Sequence, residues 1–242
     1  MKDYTLIIDT SIFGAGIGLF DDSLKNIDFL EVSNDVADSA RQLPLMVANG
    51  LSRLGVELHA IRKIIVSHGP GSFTGIRVGM GYAFGFLSGL QLTAGGQPKI
   101  TGISSLEYLA RSLVSEIGGR IVLFLAATKT TGYVVFSDGD ELIPKSFDVT
   151  GVDADSFFLD HKEANWILIG EWEQVMGWAK AHQIESVRAI QGRDAVKLAI
   201  RGIGESLKKG EPFEWKGLDS ANLPMPVYLR KSTVEEKAAV SP

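Results

Sequence analysis

Lys63-Ile64-Ile65-Val66-Ser67-His68-Gly69-Pro70-Gly71-Ser72-Phe73-Thr74-Gly75-Ile76-Arg77-Val78-Gly79 is the stretch that decides the fold. Its opening is an apolar, β-branched run, which reads as a short buried strand. Glycine and proline then break the run. From about Phe73 to Leu90 a helix is expected. A strand thus delivers the chain to a glycine-rich turn, and a helix starts there. Free backbone N–H groups and the helix dipole favour an anion at such a place. Ser72 and Thr74 would add hydroxyl donors. The same glycines also suit a tight strand-to-helix turn packed closely against its surroundings. Both readings stand on the residues alone. No Gly-Lys-Ser/Thr follows, so this is not a Walker loop.

The helix has two stripes. Ile76, Met80, Ala83, Leu87 and Leu90 form an apolar one, and Gly81, Gly85 and Gly89 form a second beside Tyr82 and Phe86. A helix apolar all round is buried all round. Each interior glycine is about 1 kcal/mol less favourable than alanine, so several in one helix suggest close approach of another backbone. One stripe can pack on the sheet of its own chain. The other suits a helix of a partner protein or, alternatively, another lobe of the same chain.

Upstream, Tyr4 to Asp9 is β-rich and ends in the turn signal Asp9-Thr10-Ser11. Gly14 to Phe20 and Leu24 to Val32 read as two more strands, which makes an antiparallel meander. Asp38-Ser39 offers an N-cap for a helix to about Leu54, with Pro44 either kinking it or marking its first turn. Lys99 to Ile103 is a further strand. Residues 1–103 therefore read β-β-β-α-β-α-β, the order of the ribonuclease-H-like fold.

The remainder, 104–242, repeats that order loosely. It has a helix from Ser104-Ser105 to about Ile117, then β-like runs at Arg120–Ala126, Gly132–Ser137 and Glu141–Val149. A short helix near Asp153–Leu159, a strand at Asn165–Gly170, and helices near Glu171–Ala181 and Asp194–Lys209 follow. Two such lobes in one α/β chain is the plan of the actin-like ATPase superfamily, with nucleotide in the cleft between them. Asp9 at the end of the first strand is where a carboxylate would face Mg²⁺ and phosphates. Alternatively, Asp9 and Ser11 bond their own turn.

Composition narrows the function. Of 242 residues, 45% are apolar and 22% charged, an ordinary globular balance. Net charge is −5, without the basic excess of a protein that holds nucleic acid alone. No cysteine is present, which excludes disulfides and thiolate metal sites. The histidines His59, His68, His161 and His182 lack the spacing of a helical metal pair. His68 reads as solvent-facing or locally bonded. The longest uncharged stretch, Val78 to Pro98, has too short an apolar part to span a bilayer. The start has no signal-peptide layout, and a cytoplasmic protein is expected. No nucleophile with a base beside it is evident.

Ile65 to Gly79 resembles the signature of the bacterial TsaB (YeaZ) family, subunits of the system that makes threonylcarbamoyladenosine in tRNA. Ile8-Asp9-Thr10-Ser11 and the late Pro226-Val227-Tyr228-Leu229-Arg230 match the family's habits in the same order. The resemblance covers residues 1–110 well and 111–220 in outline. It implies an actin-like fold without a metal site and a non-catalytic role, unlike the paralogue TsaD with its paired-histidine motif. It implies pairing with a TsaD-like subunit through helices of the first lobe, with a TsaE-like ATPase joining. The interface would take Ile76, Met80, Gly81, Tyr82, Gly85, Phe86 and Gly89 from one helix and Leu43, Met46 and Val47 from the other. A homodimer is the fallback, tRNA is met only through the complex, and no membrane is involved.

Candidate nucleotide-facing residues are Asp9, Thr10, Ser11, Gly69, Gly71, Ser72, Thr74 and Gly75. Two departures stand out. Asp38-Ser39 replaces the usual His-Ser, and Ala126-Ala127-Thr128-Lys129 replaces an Asp-Ala-Arg-Arg-like turn. Loss of that aspartate implies no cofactor of the chain's own, with ATP or ADP confined to the partner interface. The alternative is a small ATPase or phosphotransferase of the actin-like fold, which needs a carboxylate in each lobe; Ala126 stands against it. A metallopeptidase-like activity is opposed by the histidine spacing.

Overall fold

The computed structural model describes residues 2–33, 38–93, 97–126, 131–138, 141–148, 154–170, 173–185, 187–216 and 223–226. Ala127 to Lys129, Val227 to Arg230 and the tail after them lie outside the described residues.

The first sheet contains β1 (Tyr4–Asp9), β2 (Gly16–Asp21), β3 (Asn26–Val32), β4 (Ile61–Ser67) and β5 (Lys99–Ile103), in the order β3-β2-β1-β4-β5. β1 and β2 are buried throughout, so they read as near-continuous apolar runs rather than alternating ones. The meander β1-β2-β3 is antiparallel, and β1, β4 and β5 are parallel. The second sheet contains β6 (Ile121–Ala126), β7 (Thr131–Asp138), β8 (Glu141–Asp148), β9 (Asn165–Ile169) and β10 (Val187–Ile190). Its order, β10-β9-β6-β7-β8, repeats the first. The duplicated order agrees with the ribonuclease-H-like, actin-like plan expected from the sequence.

Six α-helices complete five layers: α1 (Ser39–Leu54), α2 (Phe73–Thr93), α3 (Ser105–Ile117), α4 (Ala154–Asp160), α5 (Glu173–Ala181) and α6 (Gly192–Lys209). α1 and α2 cover the outer face of the first sheet through Leu43, Met46, Val47, Ile76, Met80 and Leu87. α3 and α6 fill the space between the sheets, where Ile7 and Ile65 of one share a core with Leu123 and Ile167 of the other. α4 lies on the far side of the second sheet, with Phe158 stacked on Trp166 at 4.8 Å.

Helix ends follow their residues. Ser104 caps α3 by accepting from the Glu107 N–H at 3.3 Å. α1 runs through Pro44, which is exposed, and stops at Gly55, whose left-handed φ of 62° lets its N–H reach back to the last carbonyls. The strand β10 goes beyond the sequence expectation, as does a start of α6 at Gly192 rather than Asp194. Val187-Arg188-Ala189-Ile190 is a short sheet edge with two exposed central residues, too brief for a period to show. Among the described residues, no helix is long and apolar enough to cross a membrane.

Candidate functional site

β1 and β4 lie side by side and parallel, so the turns that follow them meet. Asp9 and Ser11 on one side, and Ser67 to Gly75 on the other, are brought together at the C-terminal edge of the first sheet. Ligands usually bind at such an edge in α/β folds. Here the two turns occupy it themselves.

Ser72 donates its N–H to the Ser11 carbonyl at 2.7 Å, and Thr10 donates its hydroxyl to the Gly75 carbonyl at 2.6 Å. Ser72 Oγ accepts the Gly75 N–H at 3.1 Å and so caps α2. The glycines make this contact possible. A Cβ at Gly75 would strike the Thr10 carbonyl, one at Gly71 the Ser11 carbonyl, and one at Gly79 the Thr10 hydroxyl.

Behind them is a buried polar chain. Ser67 Oγ donates to Ser11 Oγ at 2.7 Å, and Ser11 donates from its hydroxyl at 2.8 Å and its N–H at 2.9 Å to Asp9 Oδ1. Asp9 is 0% exposed. Its Oδ2 and the hydroxyl oxygen of Ser105 lack hydrogen-bond partners among the described residues. Burial pushes the Asp9 carboxyl above its usual range, against the pull of the two hydrogen bonds from Ser11.

These contacts correct the reading of an open anion-binding loop. Asp9, Thr10, Ser11, Gly69, Gly71 and Gly75 are buried; only Ser72 and Thr74 reach solvent. The N–H groups of Ser11, Ser72 and Gly75 are already spent on the chain's own oxygens. The physical reason is that the backbone of Thr10 and Ser11 fills the cradle a phosphate would need. A second closure went unread in the sequence. Phe13, from the turn between β1 and β2, packs on Gly192 at the start of α6, where a side chain would clash with its ring. A bulky aromatic beside a turn, and a glycine opening a helix far along the chain, give no pairing signal of their own.

His68, expected to be solvent-facing or locally bonded, is half-buried. Its ring lies against Gly102, where an added Cβ would strike both the ring and Pro224. Burial lowers its pKa, and its Nδ1 has no partner among the described residues.

α2 is the opposite case. Ile76, Met80, Ala83, Leu87 and Leu90 are buried against the first sheet. At Gly81, Gly85 and Gly89 an added Cβ would meet nothing within 4 Å. Among the described residues, no atom of another lobe lies where those side chains would be, and Gly81 and Gly85 are exposed while Gly89 is half-buried. Beside it Tyr82 and Phe86 are half-buried, with ring centroids 5.7 Å apart, and burial pushes the Tyr82 phenol up to about 12. On the same two helices Leu92 is 87% exposed and Leu45 58%, while Phe73, at 38%, lies under the Arg77 guanidinium.

The expected interface therefore divides. Gly81, Tyr82, Gly85, Phe86 and Gly89 lie on the outer face. Leu43, Met46, Val47, Ile76 and Met80 turn inward and are corrected to core residues, because their side of each helix meets the sheet. On α1 the outward apolar residue is Leu45, which sequence reasoning passed over. Its position off the stripe of Leu43, Met46 and Val47 was the available signal.

The family described as "TsaD: tRNA N6-adenosine threonylcarbamoyltransferase" matches residues 36–157. The tRNA threonylcarbamoyladenosine biosynthesis protein TsaB of Escherichia coli (strain K12) is 34% identical over 118 residues, which are 49% of this chain and 47% of that protein. This match spans about half the length of that relative. TsaB of Buchnera aphidicola subsp. Schizaphis graminum is 26% identical over 199 residues, 79% of this chain and 87% of its own. Among solved structures, YeaZ from Pseudomonas aeruginosa superposes with a TM-score of 0.61 at 22% identity, over 94% of this chain and 100% of that one. At that identity the likeness speaks for the fold alone.

Proposed function

Since the chain belongs to the TsaD family, on its TsaB (YeaZ) branch, we propose that it is a non-catalytic subunit in the making of threonylcarbamoyladenosine in tRNA. It supports a TsaD-like partner by docking through the outer face of α2. The observation that carries this reading is the uncovered glycine stripe. Gly81, Gly85 and Gly89 leave a shallow, side-chain-free track with nothing within 4 Å. The track is flanked by Tyr82 and Phe86, and Leu92 further along α2 is exposed, as is Leu45 on α1. Three glycines that destabilise an isolated helix, at positions where an added Cβ meets no described atom and where Gly81 and Gly85 are exposed, are accounted for if a second helix packs there.

The non-catalytic role is supported by the self-filled loop at Asp9 and by Ala126 in place of an aspartate. On this reading the chain holds no nucleotide of its own, and ATP or ADP is met only at the partner interface. A TsaE-like ATPase joins the pair, tRNA is contacted through the complex, the chain pairs with itself when the partner is absent, and the assembly is cytoplasmic.

The test is capture of the tagged chain from its own cells, with mass spectrometry for a TsaD-like subunit. Recovery of that subunit by wild type and its loss with Gly85→Leu is the expected result. Failure to recover it, or equal recovery by a folded Gly85→Leu protein, sinks the docking face. ATP hydrolysis by the purified chain that disappears in Asp9→Ala overturns the non-catalytic role.

A further inference from the structure

We propose that the solvent face of α6, together with Lys25 on the turn between β2 and β3, is a docking ridge for the phosphate backbone of an RNA strand. The inference rests on the tRNA reading above.

α6 buries one side between the sheets through Ala195, Val196, Ala199, Ile200 and Ile203. Outside it carries Arg193, Lys197, Arg201 and Lys208. At 3.6 residues per turn these fall within an arc of about 80°, and they extend over roughly 22 Å of helix. Asp194 and Glu205 lie at the edge of the arc, each with a cation beside it. Lys197 meets Asp194 at 3.1 Å and Lys208 meets Glu205 at 3.9 Å. Arg193, Arg201 and Lys25 have no carboxylate partner among the described residues, and all three are exposed.

A groove of about 470 Å³ is lined by β3 and α6, with Lys25, Arg201 and Lys208 beside the carboxylates Asp28 and Glu205 and the apolar Ile27. Lys25 holds a left-handed backbone at φ 51°. Glycine or asparagine adopts that conformation more easily in a hairpin turn. The turn therefore keeps a cation where the fold alone would favour a smaller residue. On a chain of net charge −5, Arg193, Arg201 and Lys25 leave this face with more cations than the carboxylates Asp28, Asp194 and Glu205 beside them.

The ridge suits phosphates rather than an acidic peptide added to the sheet. β3 is an edge strand, but its pairing slips between Leu19 and Phe20 and leaves Asp28 out of register. A bulge at that position hinders the addition of a further strand. Asp28 itself is engaged by Tyr4 and Asn26. Cations along a helix need only evenly spread negative charge opposite them, which a sugar–phosphate chain supplies regardless of sequence.

Since tRNA is held firmly only through the complex, the experiment reads the weak share that the full chain itself contributes, at micromolar protein with fluorescently labelled unfractionated tRNA, from about 50 mM to 200 mM salt. Arg193→Gln/Arg201→Gln/Lys208→Gln is compared with Arg41→Gln/Lys99→Gln/Lys180→Gln, which removes equal charge from α1, β5 and α5. The ridge triple is expected to bind more than about tenfold more weakly at low salt, with a log–log salt slope flattened by about 2. The control triple and a charge-keeping lysine version of the ridge stay near wild type. Lys25→Gly should bind more weakly while melting no lower than wild type, which separates charge from folding. Equal losses in both triples, no loss in the ridge triple, or displacement of tRNA by polyglutamate as readily as by unlabelled tRNA overturns the proposal. Capture of the TsaD-like subunit through α2 is read separately, so failure of the ridge and failure of the proposed function are told apart.

Discussion

Asp9 would carry its charge where water does not reach. Its folded pKa is raised by burial above the ordinary 3.8. Below 3.8 the carboxyl is protonated in both states and the fold has its full stability. As pH rises toward and through the raised value, the unfolded chain releases its proton first, and stability falls. Urea unfolding from pH 4 upward should therefore show wild type losing stability relative to Asp9→Asn, which keeps the shape without the charge. A constant difference across that range would mean that Asp9 titrates normally. The same turn sets a second expectation. Gly75→Ala drives a Cβ into the Thr10 carbonyl, a backbone atom that cannot swing away, and should be destabilising by about 3 kcal/mol. An alanine variant that melts like wild type would show that the two turns are not locked together. The glycines and Asp9 were legible in the sequence. What filled the space was not. A phosphate cradle and a backbone clamp ask for the same glycines, and the deciding hydrogen bond joins Thr10 to Gly75, 65 residues apart.

α2 shows how far a period can be read at the scale of an element. Its inward stripe was legible from spacing alone and is buried as expected. That Gly81, Gly85 and Gly89 face open space was left undecided, since a glycine carries no hydrophobic mark to say which surface it serves. α1 misled because its most apolar residues were taken for the interface, although a helix on a sheet spends its strongest stripe inward. The open glycines allow a paired prediction. Gly85→Ala meets nothing within 4 Å, so in the isolated chain it should raise stability by up to about 1 kcal/mol through helix propensity and a less flexible unfolded state. Gly85→Leu should leave the isolated fold intact while weakening partner association by about 2 kcal/mol or more, as loss of a tightly packed interface position does. Melting curves of the three proteins, with titration calorimetry against the TsaD-like subunit, check both halves. A Gly85→Leu protein that unfolds alone would mean the stripe belongs to its own core.

For the whole molecule the deciding member is α6. The sequence showed two units of like order, and the structure has two sheets of like order. The sequence did not show that the last helix returns to the first sheet. That information lies in close contacts between residues far apart in the chain. Gly192 receives Phe13, Gly204 lies under Ile27 of β3, and Gly202 lies against Tyr108 and Ser112 of α3. Each is a glycine because the neighbour occupies the place of its Cβ, so α6 is wedged against both halves. Its buried face belongs to one core with Ile7 and Ile65 of the first sheet and Leu123 and Ile167 of the second. Removing that face would expose both sheets at once, which implies a single cooperative unit despite the duplicated plan. Gly202→Val tests this, because its side chain must displace the Tyr108 carbonyl and the Ser112 hydroxyl together. It should be destabilising by about 3 kcal/mol, and hydrogen exchange should rise in step at the amides of β1 and β6, strands of different sheets. If the β6 amides keep their wild-type protection while those of β1 open, the halves fold separately and α6 belongs to the first alone.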